Sequence, residues 1–389
     1  MRVHETRTVP SARARHSDVL GELPLPLSFA PMEAKLVNEL PGGTRWQFEP
    51  KWDGFRCLAF RAGEEVELRA KSGKTLSRYF PEVVEFLRAL PVERFVVDGE
   101  LAIPRGKVLS FDGLQLRLHP AESRIRKLAR ETPAIFILFD CLVTADGDSL
   151  VDRPLIERRA ALDTLFDRFG SAPSLRLSPY TRVRTEAQRW LERAGGSLDG
   201  VIAKPLEGRY LSGERAMFKV KRMRTADCVV GGFRYGTDSN LVGSLLLGLY
   251  NDEGKLDHVG FTSSLPLSER PALTKKLEAL IGRPGFTGNA PGGPSRWSTE
   301  RSTEWQPLKT KLVAEVCYDH VSGNRFRHGT RLLRWRPDKA PRQCTFEQLE
   351  LEARPSKLIK DVMSTAAPKK SRRKSAAARA RKSQAAHER

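Results

Sequence analysis

The stretch EPKWDGFR, Glu49 to Arg56, sets an amine, a carboxylate and a guanidinium in close succession. Lys51 stands at the end of the strand-like run FEPKW, and Asp53-Gly54 reads as the turn that follows. A lysine is an ammonium at neutral pH, but neighbouring cations and partial removal from water favour the free amine, which can attack phosphorus or carbon. Arg56 is one such cation. Surface strands ending in K-x-D-G are common in chains that do no chemistry, so the stretch gains weight only from its companions.

Those companions are further charged residues at strand ends. VVDGEL places Glu100 after an apolar run and an Asp-Gly turn, and FILFDCL embeds Phe139 and Asp140 in an apolar strand. The Phe139 ring could stack on a base, or simply fill the core. LDGVIAK sets Asp199 at the start of a strand and Lys204 at its end, while MFKVK spaces Lys219 and Lys221 two apart. Alternation along a strand puts those two lysines on one face, where they could clamp a phosphate. Together these are the parts, in order, that a nucleotidyl-transfer site uses.

The elements that must position them divide the chain. Residues 1–24 lack periodicity and read as a flexible basic leader. From 25 to 224, short β-rich runs alternate with helical patterns such as FPEVVEFLRAL and LIERRAALDTLFDRF, which predicts an α+β domain. From 225 to 355 the texture becomes short strands punctuated by Gly and Asn-Asp turns, the pattern of an all-β OB-fold barrel with one helical insert, LSERPALTKKLEALIG. RTAD, 224–227, is the expected hinge between them. GRPGFTGNAPGGPSRWSTERSTEW reads as a long mobile loop of the second domain, and 356–389, rich in Lys, Arg, Ala and Ser, as a disordered basic tail.

Composition narrows the partner. A net charge of +20 over 389 residues, with a pI near 10.0, favours a polyanion, because each cation that neutralises a phosphate releases condensed counterions. No apolar run approaches the roughly 20 residues of a membrane helix, and none follows the basic N-terminus as a secretory signal would require. The five cysteines are scattered, odd in number and without a C-x-x-C pair, so neither disulfides nor structural zinc is indicated. A cytoplasmic, nucleoid-associated protein with no membrane partner is expected.

Lys51-Trp-Asp-Gly-Phe-Arg56 resembles the K-x-D-G-x-R signature of the covalent nucleotidyltransferases, which include ATP-dependent DNA ligases and capping enzymes. VVDGEL, FILFD, DGVIAK and FKVK look like the later motifs of that superfamily in its order, and RWRPDK, with Arg336, Asp338 and Lys339, is similar to its closing R-x-D-K motif. The likeness runs from about 25 to 355 and, through YDHVSGNRFRHGTRLLRWRPDK, is strongest to the stand-alone bacterial C-type ligases. It implies an adenylation domain followed by an OB-fold domain, ATP as AMP donor, Mg2+ or Mn2+, and nicked double-stranded DNA as substrate in DNA repair. It also implies a monomer that repair proteins could recruit.

By the same resemblance Lys51 is the nucleophile, Glu49 meets the adenine edge, Phe139 stacks on the base, and Arg56 and Glu100 meet the ribose. Glu100 and Asp199 would hold the divalent ion, Lys219 and Lys221 would face the α-phosphate, and Arg336, Asp338 and Lys339 would swing in to orient the departing pyrophosphate. Two positions depart from the pattern. Asp199 stands where glutamate is usual, one methylene shorter, and Lys71 where arginine is usual, without its bidentate fork. An RNA ligase or capping-type enzyme is the nearest rival, and a nonenzymatic nucleic-acid-binding protein a remoter one. An NAD-dependent ligase fits poorly, since its cysteine zinc module is missing.

Overall fold

The structure, a computed structural model, describes residues 19–106, 108–170, 172–192, 198–292 and 304–350. Eleven strands precede residue 222: β1 (Ala34–Leu36), β2 (Trp46–Trp52), β3 (Phe55–Ala62), β4 (Glu65–Ala70), β5 (Arg94–Ala102), β6 (Pro104–Arg105), β7 (Val108–Leu109), β8 (Ile135–Val143), β9 (Leu175–Leu177), β10 (Leu198–Pro205) and β11 (Met217–Lys221). They form one sheet of order β1-β11-β10-β2, another of order β4-β3-β5-β8-β9, and the small β6-β7 hairpin. The two large sheets are joined at Asp53-Gly54, where the chain leaves β2 and enters β3. The Asp-Gly pair is thus a corner between sheets.

The second sheet is buried on both faces, and the period-two alternation of its strands shows how. On β3, Cys57 and Ala59 face one core with Val97, Phe136 and Leu138, covered by the helices Pro81–Arg88 and Leu155–Phe169. Leu58, Phe60 and Ala62 face a second core with Val96, Leu142, Tyr210 and Met217, against the first sheet. The helix Pro81–Arg88 starts on Pro81, whose missing N–H is no loss there, and buries Val83 and Leu87, one turn apart. Burying apolar area at about 25 cal/mol per Å² makes such a two-faced strand a rigid floor for whatever its edge residues do.

Past residue 223 the strands are β12 (Arg224–Tyr235), β13 (Val242–Tyr250), β14 (Leu256–Thr262), β15 (Gln306–Pro307), β16 (Val313–Tyr318), β17 (Val321–Ser322), β18 (Arg325–Phe326) and β19 (Arg331–Trp335). The main sheet runs β14-β13-β12-β16-β19, with β15 on β12. Its far edges approach each other: Thr262 pairs with Thr330, whose hydroxyl donates to the Phe261 carbonyl, so the sheet curls toward a barrel around Val229, Phe233, Leu245, Leu247, Val259 and Val316. This is the expected OB-fold. β17 and β18 form a hairpin of their own with a two-residue turn, Gly323 (φ 52°) and Asn324 (φ 63°), the left-handed pair that tight hairpins need.

Several expectations give way here. Leu20 and Leu23, assigned to a flexible leader over 1–24, are buried against Leu58 and Phe60, so packed structure begins earlier. RTAD is no hinge. Arg224 to Asp227 open β12 and pair with Tyr318 to Glu315 on β16, leaving only Arg222 and Met223 between β11 and β12. Asp98-Gly99 is no turn either, because β5 runs unbroken through it. In the presumed mobile loop, Phe286 is buried in the core of the second domain and the Asn289 amide donates to Asp257; residues 293–303 lie outside the described residues, as do the first eighteen and the tail from 351.

Candidate active site

Where the two sheets of the first domain part, a cavity of about 230 Å³ opens. Glu49, Lys51, Lys204 and Lys219 line it from β2, β10 and β11, and Arg56, Glu100 and Phe139 from β3, β5 and β8, with Lys71 at its side. The placement follows from strand geometry. Glu49 and Lys51, two apart, share the cavity face of β2, and Arg56 lies directly across from Glu100 in the β3–β5 ladder. The segment Pro31 to Ala34, leading into β1, closes the rim, with Glu33 ion-paired to Lys71 at 2.9 Å.

The deep end is built from paired charges. Glu49, 2% exposed, accepts from Lys204 at 2.8 Å and from the Gln47 amide at 2.8 Å. Lys204 also donates to the Phe139 carbonyl at 3.2 Å and sits 4.8 Å from the centre of that ring. Asp140, one residue on, faces away and is held by the buried Arg158 at 2.8 Å. Arg56 forks onto Asp98 at 2.5 and 2.6 Å and lies 4.5 Å over Phe139, while the Tyr210 hydroxyl donates to the same Asp98 at 2.5 Å. Burial disfavours the charge on Arg56, but the Asp98 carboxylate outweighs it and raises the pKa. Burial pushes Glu100 up to about 7, against the pull of Arg56 and Lys51.

At the mouth, Lys51 donates to Asp199 at 2.6 Å, and Lys221 reaches the same carboxylate oxygen at 3.4 Å. Burial would raise the Asp199 pKa, yet the two ammoniums hold it below the usual carboxylate range. Lys219 is lowered by burial and by Lys51, Lys221, Lys71 and Arg215. Arg56, near Lys51 in sequence, is committed to Asp98, and it is Lys221 of β11 that shares the Asp199 carboxylate with Lys51. Gly200 makes the crossing possible: at φ +146° any Cβ would lie 2.0 Å from the Val220 carbonyl oxygen, so only glycine lets β10 approach β11 this closely.

The second domain reaches this mouth with the residues around its small hairpin. Arg327 Nη1 donates to both Asp53 carboxylate oxygens at 2.6 and 2.7 Å, its guanidinium 3.2 Å over the Phe111 ring, and His320 lies 3.4 Å from Asp53. Asp319 accepts from Lys221 at 2.6 Å. The RWRPDK residues are elsewhere. Arg336 and Lys339 pair with Asp227 on β12 at 2.9 and 2.7 Å, and Arg336 with Asp338 at 2.8 Å, so in this arrangement they stand away from the nucleotide pocket. The second domain presents another face.

Residues 30–221 match the family model of the ATP dependent DNA ligase domain, and residues 238–339 that of the ATP dependent DNA ligase C terminal region. DNA ligase C2 of Mycolicibacterium smegmatis is 46% identical over 346 residues, 85% of this chain and 96% of that protein. The chain belongs to the ATP-dependent DNA ligases. DNA ligase C of Mycobacterium tuberculosis is 43% identical over 345 residues, with the same shares covered. A solved Lig E DNA ligase, 18% identical with a TM-score of 0.50 over 78% of this chain and 99% of its own, shares the fold. The activity is that of an ATP-dependent DNA ligase, acting on DNA, and no helix among the described residues is long and apolar enough to cross a membrane.

Within this ligase the cavity gathers Glu49, Lys51, Arg56, Lys71, Glu100, Phe139 and Lys219, with Lys221 and Asp199 at its mouth. Sequence reading left Asp98 and Tyr210 out, because a residue that only steadies Arg56 has no motif spacing of its own. It also left out Asp319, His320 and Arg327. YDHVSGNRFRH does carry charges around a Gly-Asn turn, and that was the available signal.

Proposed function

We propose that Lys51 is the nucleophile of this ligase and that its substrate is a nick in duplex DNA. The observation that carries the assignment is the position of Lys51 Nζ, at the mouth of the cavity of about 230 Å³ and 2.6 Å from a carboxylate shared with a second lysine. An amine attacks through its lone pair, so the proton held toward Asp199 must leave first. Nζ then bonds to the α-phosphorus of ATP as the bond to the β-phosphate oxygen breaks, giving lysyl-AMP and pyrophosphate. AMP passes to the 5′-phosphate of the nick, and the 3′-hydroxyl displaces it. Each step is an in-line displacement governed by positioning and charge neutralisation.

The remaining roles are those the family resemblance implies, and the places of these residues in and beside the cavity support them. Phe139 offers its ring to the base, Glu49 its carboxylate to the adenine edge, and Arg56 and Glu100 flank the ribose. Lys71 stands at the cavity's side, within reach of the nucleotide. Lys219 and Lys221 neutralise α-phosphate oxygens. Arg336, Asp338 and Lys339 orient pyrophosphate after the second domain has turned, a gating motion of the kind that often limits enzyme rates.

A divalent ion, Mg2+ or Mn2+, would be held by Asp199 and Glu100, the two carboxylates that the family resemblance implies. Magnesium is usually held by one or two carboxylates plus substrate phosphates, and no cluster of three His, Cys, Asp or Glu ligands occurs among the described residues. Bound there, it would supply charge neutralisation at the phosphate oxygens.

Duplex DNA suits the second domain. A groove of about 770 Å³ on its sheet is lined by Arg234, Ser244, Phe261, Arg270 and Trp305, a mixture of cations, hydroxyl and aromatic faces that follows sugar and phosphate without reading bases. A net charge of +20 adds a sequence-independent attraction. We assign the working enzyme as a monomer in the cytoplasm, at the nucleoid. The test is mass spectrometry after incubation with ATP and Mg2+. Wild-type protein gains one AMP on Lys51, and Lys51→Ala gains none; an adduct on another residue would reject the assignment.

A further inference from the structure

Lys221 has two carboxylate partners, and the nearer belongs to the other domain. Its Nζ lies 3.4 Å from Asp199 on β10 but 2.6 Å from Asp319, which follows β16 in the second domain. Neither side of the contact is loose: the side chains of Lys221 and Asp319 are 17% and 15% exposed. The other oxygen of Asp319 faces His328 Nδ1 at 3.0 Å, so the carboxylate is oriented from behind by its own domain. A charge-assisted hydrogen bond across a domain boundary does two things at once: it ties the domains in one arrangement and fixes where the ammonium points.

The arrangement it ties is the one in which Arg336 and Lys339 are occupied by Asp227, away from the cavity. Bringing those residues to a pyrophosphate requires the second domain to turn, and the turn must break the Lys221–Asp319 contact. The contact is therefore absent from the ATP-loading arrangement. We propose that Asp319 is a positioning residue for strand joining: through Lys221 it locks the docked second domain and that lysine together, and it releases both when the domain turns to load ATP. This rests on the roles given above to Lys51 and Lys221.

In the joining step the 3′-oxygen bonds to the 5′-phosphorus while the bond from that phosphorus to the AMP phosphate oxygen breaks. The hydroxyl proton passes to solvent, and AMP leaves with the electron pair. Its phosphate then carries the developing charge, and an ammonium already aimed at that phosphate is worth more than one that must be reoriented. Asp319 touches no reacting atom; it acts through Lys221.

The test separates the two steps on the full-length protein. Self-adenylation is followed by AMP adduct with ATP and Mg2+, and joining by single-turnover sealing of a nicked duplex that already carries a 5′-adenylate. Asp319→Asn is expected to adenylate within about twofold of wild type but to seal about tenfold more slowly, the loss of one charge-assisted bond. Asp319→Glu, which keeps the charge, recovers most of the sealing rate. Adenylation by the same preparation reports that the variant is folded. Equal losses in both steps, or unimpaired sealing beside a normal wild-type adduct, overturn the role of Asp319 alone. A wild type that forms no adduct on Lys51 overturns the reading on which it rests, and this one with it.

Discussion

Asp199 answers to two lysines, and Arg56 to one carboxylate through two bonds, so single atoms carry much of the site. Arg56→Lys keeps the charge but gives up the fork onto Asp98, which is fully buried and already accepts from Tyr210. Leaving a buried acceptor partly unpaired costs roughly 1–3 kcal/mol, and the ring of Phe139 loses the flat cation above it. The variant should melt lower and need about tenfold more ATP for half-maximal adduct, measured by adenylation across an ATP titration; an unchanged ATP requirement would remove Arg56 from the nucleotide site. Lys51, Glu49 and Phe139 could be read from the chain because each has a position inside a spaced motif. Asp98 and Tyr210 could not, since what they do is set by partners 42 and 112 residues away.

β10 and β11 are the elements on which the mouth depends, and they meet at Gly200. A methyl group there would lie 2.0 Å from the Val220 oxygen at a φ of +146°, so Gly200→Ala must part the strands or distort the backbone, at roughly 1–3 kcal/mol. The same separation draws Asp199 on β10 away from Lys221 on β11. Loss of melting temperature together with loss of adduct is the expected result, and normal adenylation would show that the spacing of these strands is not critical. Helices with clear apolar faces, such as Pro81–Arg88, and strands such as Ile135–Val143 stood out from local pattern. Asp53-Gly54 was legible as a bend, but not as a corner between two sheets, because pairing partners are long-range and leave no local trace. RTAD misled for a related reason: its partners, Tyr318 to Glu315, lie some ninety residues on, and they draw it into a strand.

At the scale of the whole molecule, the proposed roles ask two faces of one domain to reach one cavity in turn. Here the hairpin face is docked through Arg327, Asp319 and His320, and the RWRPDK face is parked on Asp227. Lys339→Ala should slow self-adenylation at least about tenfold while changing the sealing of a pre-adenylated nick little, since the residue is needed only when pyrophosphate departs. Equal losses would argue against that timing. The division into an α+β domain and an OB-fold could be read from texture; which face of the second domain meets the first could not, because both faces carry clustered charge.

The connection between the domains, Arg222 and Met223, is shorter than either face it must exchange. A tether of that length keeps the second domain beside the first at all times, equivalent to a local concentration of about millimolar or more. Swapping one face for the other is then a first-order event, paced by how fast the ion pairs let go and indifferent to how dilute the protein becomes.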